Sequence, residues 1–155
     1  MAPRLNYAHA FPEGVHAMRQ MEQTIRGSGL EAPLLELVKV RASQMNGCAY
    51  CIDMHTKDAR AGGETEQRLY ALSAWREGPF FTPRERAALE WTEALTNIQD
   101  GHAPDEAYDA VRREFDEKDV VRLTFAITQI NAWNRIAIAF RAEAGSYQPQ
   151  KTVLV

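Results

Sequence analysis

Apolar residues recur at intervals of three and four along nearly the whole chain, and this spacing constrains the fold more than any other feature. From Val120 the series runs through Leu123, Ile127, Ile130, Trp133, Ile136 and Phe140, which predicts one long apolar helix opening after Asp116. Ala88, Trp91, Leu95 and Ile98 repeat the pattern behind Thr82-Pro83-Arg84-Glu85. That tetrapeptide reads as a helix start: a capping hydroxyl, a proline at the first position and a glutamate three residues after the cap. Earlier helices are expected from Pro12 to about Gly27, from about Pro33 to Asn46-Gly47, from about Cys48 to Ala61, and from Thr65 to Trp75. A further short helix should follow Pro104, with Tyr108, Val111 and Phe115 inside it. Strand-type alternation is scarce, and no Asn-Gly hairpin lies between β-branched runs. The expectation is an all-α fold of about six to seven helices, a single domain over 1–155 with its core at about 5–141 and a weakly specified tail at 145–155.

Composition narrows the function classes. With 155 residues the chain is long enough to bury roughly 70% of its unfolded surface without a covalent staple. Its net charge of −3 lacks the basic excess usual in a duplex-binding domain, so no nucleic-acid partner is expected. No apolar run approaches the roughly 18–20 residues of a membrane span, and the first residues lack the apolar stretch of a secretory signal. Two cysteines are too few for a secreted disulfide scaffold. They imply redox or metal chemistry in a reducing, cytoplasmic compartment.

Those two cysteines form Cys48-Ala49-Tyr50-Cys51, directly after Asn46-Gly47. In the first turn of a helix both thiols would meet free backbone N–H groups and the positive end of the helix dipole, which favour a thiolate. Positions i and i+3 share a face about 5–6 Å apart, within reach of a disulfide. His55 lies one turn beyond Cys51 and leans back toward it, so a thiol and a base share one helix face. Glu36, on the preceding helix, is the candidate to orient the imidazole. Alone, the same residues fit zinc: Cys48, Cys51 and His55 supply three ligands, with His16 or His102 as a fourth. On a helical wheel Glu36 groups with Lys39, Ser43 and Asn46, opposite Leu34, Val38 and Met45, and by spacing alone it reads as a solvated surface glutamate. Arg41 falls on the apolar side of that helix and needs a carboxylate, Glu90 or Glu93. Asn131, Asn134 and Arg135 cluster on the otherwise apolar last helix, where they could line a subunit interface or orient Glu36. Trp75, Trp91 and Trp133 read as core or interface anchors, and no cofactor-binding motif is present.

The order Glu36, eleven residues, Cys48, two residues, Cys51, three residues, His55 resembles the signature of the AhpD-like alkylhydroperoxidases, within the carboxymuconolactone decarboxylase superfamily. The run Glu36-Leu37-Val38-Lys39-Val40-Arg41-Ala42-Ser43-Gln44-Met45-Asn46-Gly47 before the cysteines, and the later Asn131-Ala132-Trp133-Asn134-Arg135, are similar to the family's small single-domain members. The resemblance spans about Leu5 to Arg141 and implies an AhpD-like helical domain with thiol peroxidase or thiol-disulfide activity. It implies a proton relay of Glu36, Cys48, Cys51 and His55, with no cofactor and no metal. It further implies a small hydroperoxide substrate, an external dithiol reductant that can be a lipoyl group on a partner protein, and a homo-oligomer, trimeric or hexameric. The best-studied alkylhydroperoxidases carry a second histidine where this chain has Tyr50. Two other functions fit the chain: a carboxymuconolactone-type lyase, which would not need the thiols, and a non-catalytic oligomer whose thiols only bind metal.

Overall fold

The computed structural model describes residues 2–149, and among them every regular element is a helix. The order is α1 (Tyr7–Ala10), α2 (Pro12–Arg26), α3 (Ala32–Asn46), α4 (Ala49–Ala61), α5 (Glu66–Ala71) continued by a 3₁₀ turn (Leu72–Ala74), α6 (Pro83–Thr96), α7 (Asp105–Glu114) and α8 (Glu117–Phe140). The seven helices expected from spacing are all present. Four-residue α1 is the addition, started by Asn6, whose side chain accepts from the His9 amide. Such a turn is too short to carry a periodic pattern. Helix ends follow local chemistry: Thr82 and Glu85 form a reciprocal capping box on α6, Thr65 caps α5, and Asp116 caps α8. Phe115, expected inside α7, instead ends it in an extended conformation.

α3 lies at the centre, packed by α4, α6 and α8. Leu35 and Val38 meet Ala88, Trp91, Val111, Leu123 and Ile127 in one core. Leu37 and Val40 point elsewhere, into a second core with Leu72, Trp75 and Leu89. Ala42 joins both cysteines, Ile130 and Ala137 in a third. A helix covered on three sides has no solvated face of normal width, so its polar residues are buried or half-buried. Lys39 is 2% exposed and Ser43 is fully buried. Arg41 finds its carboxylate in Glu93 at 2.7 Å, and Glu93 also accepts from the Trp75 indole at 2.7 Å.

Candidate active site

Gly47 makes the turn that builds the site. Its φ of 67° is left-handed, which glycine adopts without the Cβ penalty, and the Cys48 amide closes back onto the Ser43 carbonyl at 3.0 Å. The chain therefore reverses within one residue, and α4 runs back along α3. Cys48 becomes the residue before the first turn of α4, and Cys51 sits inside that turn. Both are buried, 1% and 2% exposed, with their sulfurs 2.8 Å apart. Disulfide closure requires only a small side-chain adjustment.

The electrostatics of the two thiols differ. Hydrogen bonding from the Cys51 side chain, then the amides of Cys51 and Tyr50 and the side chain of Asn134, outweigh burial and lower the Cys48 pKa to about 7. Cys51 is pushed well above the ordinary thiol value by its bond to Cys48 and by burial. Near pH 7 the pair therefore passes from two protons to one that the sulfurs share. Alkylation of the reduced protein by iodoacetamide should rise with a midpoint near pH 7, rather than the roughly 8.5 of a free cysteine. Asn134→Ala should move that midpoint upward; an unchanged midpoint would remove Asn134 from the account.

The reversal also brings α4 residues against α3. His55 is 4% exposed, and its Nδ1 lies 2.8 Å from Glu36 Oε2. With the proton on Nδ1, His55 donates to Glu36 and leaves Nε2 free to act as a base. The other oxygen, Glu36 Oε1, accepts from Lys39 Nζ at 3.3 Å and lies 3.8 Å from the Arg26 guanidinium. Lys39 Nζ also donates to Glu22 at 2.6 Å. Burial opposes ionisation of Glu36, but His55, Lys39 and Arg26 outweigh it and hold the carboxyl at about 2. The solvated reading of Glu36 is thus corrected: a helical wheel assumes one buried face, and α3 has three.

A polar seam fixes α8 beside the cysteines. Asn46 donates to Asn131 and Asn134, each at 2.9 Å, while Asn134 donates to Ser43 at 3.0 Å and Asn131 to Thr96 at 3.0 Å. The asparagines thus hold the turn before Cys48 and do not touch Glu36.

Cys51 and His55 share the wall of a cavity of about 270 Å³, with Tyr7, Val15, Arg19, Tyr50, Trp133 and Tyr147. Cys48 is outside that wall and borders a separate cleft between Gly47–Tyr50 and the chain after α8. Tyr147 arrives on the weakly specified tail, which is tied down as far as it is described: Gly145 N donates to Asp53 at 3.0 Å, Lys57 donates to the Tyr147 carbonyl at 3.0 Å, and the Tyr147 hydroxyl donates to Asp58 at 2.7 Å. Residues 150–155 lie outside the described part. Among the described residues, the metal-type donors that converge are Glu36, His55 and Asp58, without either thiol. Lys39 and Arg26 already satisfy Glu36, so this donor set does not fit a cation. Lys39, Asp58, Trp133 and Tyr147 were not expected at the site, and Asn134, expected at an interface or against Glu36, instead meets Cys48. Only Asn134 and Trp133 carried a signal, in the Asn-Ala-Trp-Asn-Arg run.

The carboxymuconolactone decarboxylase family profile matches residues 12–94, which include Glu36, both cysteines and His55. The chain belongs to this family. It is 50% identical over 146 residues to the uncharacterized protein YdfG of Bacillus subtilis, covering 94% of this chain and 99% of YdfG. A solved structure from Agrobacterium tumefaciens, a protein of unknown function with a suggested assignment as the antioxidant defence protein AhpD, superposes with a TM-score of 0.91. The two chains are 44% identical, and the match covers 94% of this chain and 100% of the other. The debrominase Bmp8 matches with a TM-score of 0.80 at 19% identity, over 89% of this chain and 74% of its own, and so shares the fold alone. No helix among the described residues is long and apolar enough to cross a membrane.

Proposed function

We propose that this family member is a thiol peroxidase that reduces organic hydroperoxides through Cys48 and Cys51. The observation that carries this reading is the buried sulfur pair, 2.8 Å apart, of which Cys51 shares a cavity wall with a Glu36-oriented His55. Cys48 is the better-ionised sulfur, but Cys51 is the one that meets the cavity, and access decides which sulfur a hydroperoxide reaches. Cys48 holds a proton during this step, so that two thiolates never face each other, and the Cys51 proton passes to His55. The Cys51 sulfur then attacks the distal peroxide oxygen, the O–O bond breaks, and the alkoxide takes the proton from His55 to leave as an alcohol. Cys51 is now a sulfenic acid. The Cys48 sulfur attacks the Cys51 sulfur and forms the disulfide, and the Cys48 proton leaves with the expelled hydroxide as water.

An external dithiol restores the pair. Its thiolate attacks the disulfide at Cys51, because Cys48, with the lower pKa, is the better leaving group. Closing of the dithiol into its own disulfide then releases Cys51. A lipoyl group on a partner protein is the proposed dithiol. The lyase alternative gives the sulfur pair no task, so the pairing favours the redox reading. Peroxide consumption coupled to oxidation of dihydrolipoamide tests it directly; no consumption with any organic hydroperoxide would reject it. The chain is also proposed to assemble as a trimer or hexamer, supported by the exposed apolar residues Val121 and Phe125 on one face of α8. Light scattering at the monomer mass would contradict that.

A further inference from the structure

The cavity beside Cys51 holds more unmatched donors than the proposed thiol chemistry uses. Its carboxylates are satisfied: Glu22 by Lys39 and Arg26, and Asp58 by the Tyr147 hydroxyl. Arg26 in turn is matched by Glu22 at 2.9 Å. Arg19, one turn before Glu22 on α2, is the lining cation without a carboxylate partner among the described residues. Tyr7 and Tyr50 line the same cavity, and both feel the charges of Arg19 and Cys51. Neither hydroxyl bonds to a protein group among the described residues. Burial, first, and then neighbouring negative charge raise both phenols above their ordinary value, so they keep their protons and remain donors. Val15, Met54, Trp133 and Ala137 give the same wall an apolar stretch.

We infer that this cavity is a binding site for an anionic amphiphile, an apolar body ending in a carboxylate, with Arg19, Tyr7 and Tyr50 taking the carboxylate and the Trp133 side taking the hydrocarbon. This rests on the peroxidase reading for the reaction, and it makes the substrate class a carboxylate-bearing organic hydroperoxide, such as a fatty-acid hydroperoxide. Arg19, Tyr7 and Tyr50 lie close enough to feel one another's charge, and with both lining carboxylates already paired these three donors suit an anion. A neutral hydrocarbon would leave the two phenols desolvated and unpaired. A hydrogen peroxide molecule would leave the carbon wall unused. Arg19 is exposed and keeps much of its hydration, which sets the expected preference at about tenfold rather than thousands.

Binding can be read without turnover. Calorimetric titration of the reduced protein with octanoate and with 1-octanol should show octanoate about tenfold tighter, and added salt should narrow the gap. In Arg19→Gln the octanoate-to-octanol ratio should fall to about two or less; Tyr50→Phe should give an intermediate ratio. Equal affinities in the unmodified protein, a ratio that survives Arg19→Gln, or no binding of either ligand would each overturn the inference. A kinetic arm compares kcat/KM for cumene hydroperoxide and linoleic acid hydroperoxide, before and after Arg19→Gln. If octanoate binds through Arg19 but neither hydroperoxide is consumed, the peroxidase reading fails and the binding site stands. If both are consumed with the same ratio in either protein, the peroxidase reading stands and the anionic substrate class fails.

Discussion

Replacing Cys51 with serine is expected to reduce hydroperoxide turnover to the uncatalysed background. A hydroxyl in that place cannot be oxidised to the sulfenic level, and its proton is far harder to remove than a thiol's, even with His55 and Glu36 intact. Cys48→Ser should behave differently. Cys51 still faces the cavity and still reacts once, but the sulfenic acid has no partner sulfur 2.8 Å away to resolve it. One equivalent of peroxide should be consumed per chain, and dimedone should then label Cys51. Turnover in Cys51→Ser, or dimedone labelling found only in that variant, would move the attack to Cys48. His55→Ala should slow the single-turnover step by about 10²–10⁴-fold, as removal of a general base does. Glu36→Gln should cost less, because the imidazole remains and loses only its orienting charge.

The largest effect on stability is expected at Lys39. Its ammonium is buried between Glu22 at 2.6 Å and Glu36 at 3.3 Å. Lys39→Met keeps the volume but leaves two carboxylates short of a partner in a site that water barely reaches. Breaking a buried pair in this one-sided way costs about 3–5 kcal/mol, which for a domain of this length lowers the melting temperature by roughly 10 °C. Glu22 is partly exposed and keeps Arg26, so the lower end of that range applies. Lys39→Met with Glu22→Gln should recover part of the loss, since one unmatched charge is gone. A melting temperature unchanged in Lys39→Met would show the network to be dispensable. The same network sets the acid limit. Glu36 has a folded-state pKa depressed from 4.5 to about 2, so its contribution is fully present above pH 4.5 and is lost as the pH falls toward 2. Glu36→Gln should flatten the stability profile across that window, measured by denaturant unfolding at successive pH values.

The helices were legible in the sequence because their ends are written in local chemistry. Thr82-Pro83-Arg84-Glu85 caps α6 in the way the motif implies, and Asn46-Gly47 ends α3 where a left-handed residue is needed. The contacts of Cys48 with Cys51 and of His55 with Glu36 were legible from spacing together with the family resemblance. The wheel of α3 pointed the wrong way because amphipathic reasoning presumes that one face meets water. Once α4, α6 and α8 cover this helix, Lys39, Ser43 and Glu36 become a buried polar seam whose partners come from α2, α4 and α8. The pairings of Asn134 with Ser43 and of Tyr147 with Asp58 were beyond reach for a related reason: the partners lie about ninety residues apart in the chain, and no local pattern encodes such a contact.

In the proposed cycle Cys48 and Cys51 together deliver two electrons to a hydroperoxide. The most direct test treats the fully reduced protein with one equivalent of cumene hydroperoxide and measures intact mass and free thiols. The account predicts loss of both thiols in one chain, a mass lower by about two hydrogens, no cross-linked dimer, and recovery of both thiols with dihydrolipoamide. Two thiols still free after the peroxide is added, or oxidation only between chains, would contradict it.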